Sequence, residues 1–492
     1  MTEHVLLIHG WSASDKSMAK VGELLAAHGY QTQDVYLGGY PSMDDDVRIE
    51  DSGRRLNAIV TDMQAAGTLP GKFHVVVHST GALVARWWIA EYFPRGGAPV
   101  TNFLMLAPAN FGSPLATIGK STLGRLTKGF STGFQTGTHF LNALELASKF
   151  QEDLALRDRL SEDGTTDSPF SEDGTRPFVI VGADPIFGTA ILGEKAWDGT
   201  VRIATANIDP RGVTVDFTKG SILEPEFRAW TRRGPEDTPF AVIPDRSHLS
   251  ILKPAPKDSA SKDPVVSQRL EKLILQALST KTAADYRAVA ADWTDICLET
   301  RQLAQDGPEA DALRERVLGK AGADASRFRE FYQIVVEAVD HTGLPVDDFT
   351  LWLTAPKAVK ETQFKAGTTV TKVEIDAQLS LIQDEHTNTR NKNRLSLHID
   401  RRELLANFLR DRIPRGYEAS LAAGITAASP GKRIGYFDVD GKEHSALIRL
   451  RALDPGDEEK GKRFLRRYTT HFLRVILPRV ASDDVFTVRK LG

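Results

Sequence analysis

The sequence predicts an α/β domain built on a mostly parallel, doubly wound sheet, followed by a C-terminal antiparallel β-sandwich. Two observations carry this prediction. In the first half of the chain, short apolar runs typical of buried strands alternate with segments of helical period, and strands that alternate with helices favour a parallel sheet. From about Phe331 the apolar period changes to two, and short strand-like segments are separated by turns rich in Gly, Asn and Asp, which is typical of a sandwich.

The length and composition are those of an ordinary folded protein with more than one domain. At 492 residues the chain exceeds the size of one average core, and 41% hydrophobic with 26% charged residues permit a large interior. A formal net charge of −3 argues against a general nucleic-acid binder, which would carry a strongly basic face. Cys297 is the only cysteine, so no intramolecular disulfide can form, which fits a reducing compartment.

The sequence shows no recognisable targeting or membrane-spanning segment. The N-terminus leads straight from Met1 into a strand-like run, without a basic region or a long apolar core. No apolar stretch approaches the roughly 18 residues of a membrane span. We therefore expect a soluble, cytoplasmic protein, with export without a signal peptide as the alternative.

The stretch around Ser79 carries the strongest chemical signal. Residues 75–77 form a β-branched run typical of a buried strand, which breaks at the turn 78–81 and continues as an apolar segment of helical period. A serine on a tight strand-to-helix turn has its Oγ lifted clear of the sheet edge, as a nucleophile requires. The alternative is a buried strand that simply ends in a polar turn, and Val77 stands where the common G-x-S-x-G pattern has its first glycine.

The other elements of the first domain follow in alternation. Helical segments are predicted at residues 14–29, 48–66 and 263–278, and strand-like runs at 5–8, 34–37, 102–106, 178–182, 201–206 and 240–243. The first run ends in His9-Gly10, where the glycine lets the backbone turn away near the same sheet edge as Ser79. Because reactive groups gather at the carboxyl ends of parallel strands, we expect the functional site at this edge.

A long excursion from about residue 108 to 176 interrupts this domain. Leu146, Phe150 and Leu154 recur at helical spacing within it and form a narrow apolar stripe. An excursion of this length in a compact domain is usually a lid or cap. Its apolar stripe has two interpretations, a channel for an acyl chain and a helix that packs on the core.

Two aspartates and one histidine are candidates to complete a site with Ser79. His248 follows the last strand and precedes the closing helix, and it alone among the 12 histidines combines this position with the chain order Ser, Asp, His. Asp198 lies in a turn and is preferred to Asp184, which precedes a proline where a turn or capping role would suffice. Asp245 is assigned a minor role at most.

Taken together, these residues resemble the serine esterase and lipase branch of the α/β-hydrolase superfamily, in particular its lipase-class-2 and GPI-inositol-deacylase-like members. The resemblance covers roughly the first 280 residues. The matching pieces are the His9-Gly10 loop, the turn at 78–81 with the following residues 83–86, the segment 110–113, residues 198–201, and His248.

The resemblance implies an α/β-hydrolase core with a cap insertion and a mechanism through an acyl-enzyme. Ser79 would attack an ester carbonyl after passing its proton to His248, and Asp198 would hold the imidazole and stabilise its positive charge. The main-chain N–H groups of Trp11 and Thr80 would form the oxyanion hole. No metal or organic cofactor is implied.

We expect three parts in the chain. These are a catalytic domain at residues 1–280, with its cap at about 108–176, a helical connector at 281–325 and a β-sandwich accessory domain at 326–492. The accessory domain shows no second catalytic set and is interpreted as a binding, docking or stabilising module. Residues 460–479 are locally basic, which fits contact with anionic lipid head groups or a partner, but a solvated strand face is the preferred interpretation.

The sequence thus predicts a carboxylic ester hydrolase that acts on a lipid or another acyl ester. One alternative is a phospholipase effector exported without a signal peptide. Another is a hydrolase fold that serves only as a binding scaffold. Thioesterase, amidase and acyltransferase reactions use the same acyl-enzyme and stay open as well.

Overall fold

The structure is a computed structural model that describes residues 3–10, 18–35, 46–119, 138–184, 193–220, 225–319, 324–354, 381–404, 422–428, 430–437, 446–449 and 465–485. The chain divides into two compact units. Unit 1 comprises Met1–Pro210 and Thr231–Phe331, and unit 2 comprises Arg211–Trp230 and Tyr332–Gly492.

Unit 1 alternates strands and helices along the chain. Its strands are β1 (His4–Ile8), β2 (Gln31–Val35), β3 (Phe73–His78), β4 (Val100–Leu106), β5 (Leu160–Ser161), β6 (Arg176–Gly182), β9 (Thr231–Arg232) and β10 (Phe240–Ile243). Its helices are α1 (Ala19–Ala27), α2 (Ile49–Ala65), α3 (Gly81–Tyr92), α4 (Pro114–Gly119), α5 (Thr138–Leu144), α6 (Lys149–Asp158), α7 (Ile203–Ala206), α8 (Pro264–Ser267), α9 (Arg269–Ser279), α10 (Ala283–Gln302) and α11 (Pro308–Leu318).

The central sheet of unit 1 has six strands in the order β10-β6-β4-β3-β1-β2, and every neighbouring pair is parallel. This confirms the predicted parallel sheet. The strand β3 lies in its middle, where Val76 pairs with Leu7 on one side and Leu104 on the other. All six residues of β3 are buried, as expected for a β-branched strand covered on both faces. Because β3 is central, its carboxyl end lies in the middle of one edge of the sheet.

The predicted domain boundaries differ from the observed units at two places. The helices α10 and α11, expected as a separate connector, belong to unit 1. The reason is the apolar face of α10: Trp293 is fully buried, Tyr286 donates a hydrogen bond of 2.9 Å to the carbonyl of Pro177, and Thr300 donates one of 2.7 Å to Val242 on β10. Conversely, residues 211–230, expected in the catalytic domain, belong to unit 2 because they form strands of its sheet.

The predicted strand at 201–206 is instead a turn followed by the short helix α7. In a short apolar run, the periodicity of the sequence cannot distinguish a buried strand from a buried helix. The side chain of Thr205 donates a hydrogen bond of 3.0 Å to the carbonyl of Arg202, as threonine does within a helical turn.

The described part of the predicted cap contains the helices α4, α5 and α6 and the short strand β5. Leu146 and Leu154 are buried and Phe150 is half-buried, and α6 packs against α3. The buried guanidinium of Arg86 on α3 forms a bidentate ion pair with Asp158 at the end of α6, at 2.8 and 3.0 Å. In this part of the chain the apolar stripe is thus used for packing.

Unit 2 contains mixed and antiparallel sheets around one hydrophobic core. Its elements are β7 (Arg211–Gly220), β8 (Pro225–Ala229), β11 (Phe331–Asp340), β12 (Phe349–Thr354), β13 (Ile382–Thr387), β14 (Arg394–Asp400), the short helix α12 (Arg401–Glu403), β15 (Ala422–Ala427), β16 (Ile434–Tyr436), β17 (Ala446–Arg449), β18 (Thr469–Leu477) and β19 (Arg479–Ala481). A six-stranded sheet has the order β13-β14-β11-β18-β7-β8, and a three-stranded sheet the order β12-β15-β17.

The six-stranded sheet departs from the purely antiparallel arrangement that the sequence predicts. The pairs β11–β18 and β18–β7 are parallel, whereas the pairs at both edges, β13–β14 and β7–β8, are antiparallel. The three parallel strands come from distant parts of the chain, so no hairpin dictates their direction. Apolar side chains of this sheet and of the three-stranded sheet share one buried cluster, among them Ile334, Leu353 and Ile425.

None of the helices within the described ranges combines the length and apolarity needed to cross a membrane.

Candidate active site

Ser79 stands at the junction between β3 and α3. Its backbone has a φ of 54°, in the left-handed region that residues with a side chain rarely adopt. Such a conformation costs about 1–3 kcal/mol and persists only where the surrounding structure holds it. The N–H of Ser79 donates a hydrogen bond of 3.1 Å to the carbonyl of Leu106, and Thr80 already has helical dihedrals as the N-cap of α3. The chain thus makes a sharp turn that leaves Ser79 half-buried, and the bulky Val77 within β3 does not prevent it.

Two glycines let the loop after β1 approach this turn. A Cβ on Gly10 would lie 2.8 Å from the Cβ of Ser79, and a Cβ on Gly81 would lie 2.9 Å from the carbonyl oxygens of both Ile8 and His9. Any side chain at either position would therefore push the two segments apart. Of the two predicted oxyanion donors, Thr80 immediately precedes α3, and Trp11 lies outside the described residues.

His248 lies in the loop after β10, with its ring against Ser79. The distance between His248 Nε2 and Ser79 Oγ is 3.0 Å, a normal hydrogen bond. This loop is tied to the loop after β6, because the N–H of Asp184 donates a hydrogen bond of 3.0 Å to the carbonyl of Arg246. The N–H of His248 itself donates a bond of 2.9 Å to the carbonyl of Asp198. The histidine is thus held by main-chain contacts as well as by its ring.

Asp198 is fully buried and accepts hydrogen bonds on both carboxylate oxygens. Its Oδ2 lies 2.8 Å from Nδ1 of His248. Its Oδ1 accepts from the N–H groups of Thr200 and Val201, at 2.9 and 2.8 Å, within a turn that Gly199 completes with a φ of 101°. Because a carboxylate only accepts, Nδ1 carries the proton and Nε2 of His248 is free to accept the proton of Ser79.

The second candidate, Asp184, and the nearby Asp245 face different partners. The carboxylate of Asp184 forms an ion pair with Arg327. Asp245 accepts a hydrogen bond from Ser259 and lies 3.6 Å from the guanidinium of Arg246. Burial raises the pKa of Asp245, against the opposing charge of Arg246. The structure therefore brings together Ser79, His248 and Asp198, and leaves Asp184 and Asp245 outside this hydrogen-bonded chain.

The segment 110–113, whose sequence resembles a family pattern, holds the turn that carries Asp198. Ser113 Oγ donates a hydrogen bond of 2.6 Å to the carbonyl of Thr200. Asn110 donates one of 2.7 Å to the carbonyl of Ala206 and accepts one of 3.1 Å from Arg86 on α3. This buried network connects the helix after Ser79 with the turn of Asp198.

Within the described ranges, no group of three or more His, Cys, Asp or Glu side chains is arranged to hold a metal ion. The arrangement of Ser79, His248 and Asp198 suits nucleophilic chemistry. A hydroxyl, an imidazole that can accept its proton, and a buried carboxylate behind the imidazole form one hydrogen-bonded chain.

The chain is similar to known proteins in its three-dimensional structure. No family model and no curated protein sequence matches the chain. Among solved structures, phospholipase PlaB from Legionella pneumophila is similar, with a TM-score of 0.74 at 21% identity over 100% of this chain and 96% of that one. The same phospholipase in complex with thio-NAD gives a TM-score of 0.71 at 21% identity, over 100% and 97% of the two chains. With the parallel sheet and the turn at Ser79, this similarity shows that the chain has the α/β-hydrolase fold.

Proposed function

We propose that this protein is a serine hydrolase that cleaves carboxylic esters of lipids. The observation that carries the proposal is the chain of two hydrogen bonds from Ser79 Oγ to His248 Nε2 and from His248 Nδ1 to Asp198 Oδ2, at 3.0 and 2.8 Å. The sharp turn at Ser79 supports it, because such a turn exposes a nucleophile at the carboxyl ends of the strands.

The proposed reaction proceeds through an acyl-enzyme. Ser79 Oγ attacks the ester carbonyl while its proton passes to Nε2 of His248, and the charge of the resulting imidazolium is stabilised by Asp198. The tetrahedral intermediate collapses, the carbon–oxygen bond to the alcohol breaks, and His248 returns the proton to that alcohol. Water then adds to the acyl-enzyme with His248 again as base, which releases the acid and restores Ser79.

The negative oxygen of each tetrahedral intermediate needs hydrogen-bond donors. We assign this role to the main-chain N–H of Thr80 at the start of α3, together with that of Trp11. A helix start is a favourable place for a negative charge because its N–H groups point outwards. One such donor is commonly worth about 3 kcal/mol of activation free energy.

Two observations favour a lipid substrate over a small ester. Leu249, which follows His248 in the chain, is 45% exposed although the loop before it is buried, so an exposed apolar side chain comes directly after the base. In addition, a protein named as a phospholipase is similar to this chain over its whole length. Because of the second observation, a phospholipid ester is the second, more specific candidate substrate.

Hydrolysis of p-nitrophenyl esters of increasing acyl length tests the proposal, with Ser79→Ala as the control. We expect activity that rises with chain length and disappears in the variant. Activity only on esters with short acyl chains would support the assignment as an ester hydrolase and reject a lipid substrate. Turnover that survives Ser79→Ala would reject the assigned nucleophile.

Fatty-acid release from phosphatidylglycerol and phosphatidylcholine vesicles separates the two lipid candidates. Release that depends on Ser79 supports the phospholipase, and its absence in an enzyme that cleaves long-chain p-nitrophenyl esters argues against it. An enzyme inactive on every ester is examined by fluorophosphonate labelling. Failure to label Ser79 would favour the scaffold interpretation.

A further inference from the structure

The residue before the nucleophile, His78, makes a contact that the proposed mechanism does not use. His78 is the last residue of β3, and its side chain is buried. Its Nε2 lies 2.9 Å from the main-chain oxygen of His248. Because a carbonyl oxygen only accepts, Nε2 must carry the proton of the ring. His78 is therefore a donor to the backbone of the residue proposed as the general base.

This contact holds the main-chain carbonyl of His248, whereas Asp198 holds its N–H. The N–H of His248 donates to the carbonyl of Asp198 at 2.9 Å, and its carbonyl accepts from His78 at 2.9 Å. The rings of His78 and His248 also touch, with their centroids 4.7 Å apart. The main chain of His248 is thus hydrogen-bonded both to Asp198 and to the last residue of β3.

Within the described part of the chain, the His78 ring makes no other hydrogen bond. Its second nitrogen, Nδ1, is buried and makes no hydrogen bond to any described residue. Burying a polar atom without a partner costs free energy, and an apolar ring of similar size would fill the space without that cost. The single hydrogen bond to His248 is therefore the interaction that a histidine supplies here and a phenylalanine would not.

We propose that His78 is a positioning residue whose Nε2–H holds the carbonyl of His248 and so keeps the imidazole of the base against Ser79 Oγ. The proposal rests on the proposed function, in which His248 removes the proton of Ser79. A small displacement of a base can lower a rate by about 100-fold, so a hydrogen bond to its backbone is sufficient to matter.

The neutral state of His78 suits this role. Burial lowers the pKa of His78 well below its ordinary value, and the neighbouring charge of His248 acts in the same direction. A neutral ring donates the hydrogen bond without adding a second positive charge beside the imidazolium that forms on His248. A permanently charged side chain at this position would oppose that imidazolium.

The test compares His78→Gln with His78→Asn, whose side-chain amides lie at different distances from the main chain. The amide nitrogen of a glutamine can occupy the position of Nε2, whereas that of an asparagine corresponds to Nδ1. We expect His78→Asn to lower kcat for a soluble ester by about 10- to 100-fold with little change in KM, and His78→Gln to recover most of this loss. The rate of fluorophosphonate labelling of Ser79 should change in parallel.

A matched control lies on the same strand. His74 on β3 is also buried, but it is bound to Thr101 at 2.8 Å and lies at the opposite end of the strand from Ser79. His74→Gln should leave kcat close to that of the wild type, and thermal unfolding of all variants shows whether they fold. Since both variants at position 78 bury an amide, a difference between them reports the hydrogen bond and not general destabilisation.

Equal kcat values for the Asn and Gln variants of His78 would overturn the proposal, whether both match the wild type or both fall. If kcat rises from Asn to Gln while Ser79→Ala is inactive, the positioning role is supported. Ester hydrolysis that survives Ser79→Ala would instead reject the proposed function, and the role of His78 with it.

Discussion

Ser113 Oγ donates a hydrogen bond of 2.6 Å to the main-chain oxygen of Thr200, two residues after the buried carboxylate of Asp198. The same Ser113 oxygen accepts from the N–H of Leu115 at 3.2 Å, near the start of α4. The orientation of the aspartate therefore depends on the segment that follows β4 as well as on its own turn.

Replacing Ser113 tests this dependence. A lost intramolecular hydrogen bond is worth about 0.5–1.5 kcal/mol, so Ser113→Ala should lower kcat/KM by roughly two- to tenfold. Ser113→Thr retains the hydroxyl and should recover most of the activity. Steady-state ester hydrolysis measures both variants, and an alanine variant as active as the wild type would contradict the role.

The choice of Asp198 over Asp184 leads to opposite expectations for two matched substitutions. Asp198→Asn replaces the acceptor for Nδ1 of His248 with an amide that stabilises the wrong tautomer, and kcat should fall by about 10⁴-fold. Asp184→Asn removes only the ion pair with Arg327, which should lower stability by about 1 kcal/mol and leave kcat little changed.

Ester hydrolysis and thermal unfolding measure both aspartate variants. The reverse pattern, with Asp184→Asn inactive and Asp198→Asn active, would assign the acid to Asp184. The geometry argues against that outcome, because the 2.8 Å bond of His248 Nδ1 is to Asp198.

The close approach of Gly10 to Ser79 predicts that a single methyl group is damaging. A Cβ at Gly10 would lie 2.8 Å from Ser79 Cβ and 3.1 Å from the carbonyl of His78, so either the loop or the turn must move. Gly10→Ala should lower kcat/KM by about tenfold or more. Gly71→Ala is the control, since a Cβ there meets nothing within 4 Å. Wild-type rates of fluorophosphonate labelling in Gly10→Ala would contradict the prediction.

The features that the sequence predicts correctly depend on local patterns. The run at 75–77 and the break after it are enough to predict the β3–turn–α3 unit, since a β-branched run and a helical period are visible within a few residues. The turn of Asp198 is local too, because the carboxylate accepts from N–H groups two and three residues further along. The parallel sheet follows from the alternation of these units.

The features that the sequence does not predict depend on contacts between distant residues. The parallel pairing of β7 with β18 joins segments far apart in the chain, and periodicity carries no information about which strand is the partner. The contact between His78 and the carbonyl of His248 is of the same kind. A histidine beside a serine looks like part of a turn until the loop after β10 is placed against it.

Asp209, a half-buried acid away from the site, makes the stability of unit 1 depend on pH. Asp209 is paired with Arg159 and accepts hydrogen bonds from the N–H and Oγ1 of Thr238, at 2.8 and 2.9 Å. Burial alone would raise the pKa of Asp209, but the charges of Arg159 and Arg232 and these hydrogen bonds outweigh it, so the pKa lies below its ordinary value of 3.8.

A lowered pKa in the folded state means that the ionised carboxylate stabilises the fold at pH values above its ordinary, unfolded pKa of 3.8. This contribution is lost as the pH falls through the folded pKa. Asp209→Asn cannot ionise, so its deficit in the free energy of unfolding should be constant near neutral pH and shrink below about pH 4. Urea unfolding at a series of pH values measures the deficit. Asp153→Asn is the control, because Asp153 forms an exposed ion pair with Lys149. Its free energy of unfolding should change by only about 0.5 kcal/mol. A deficit of Asp209→Asn that stays constant down to pH 3 would show that Arg159 and Thr238 do not favour the ionised form.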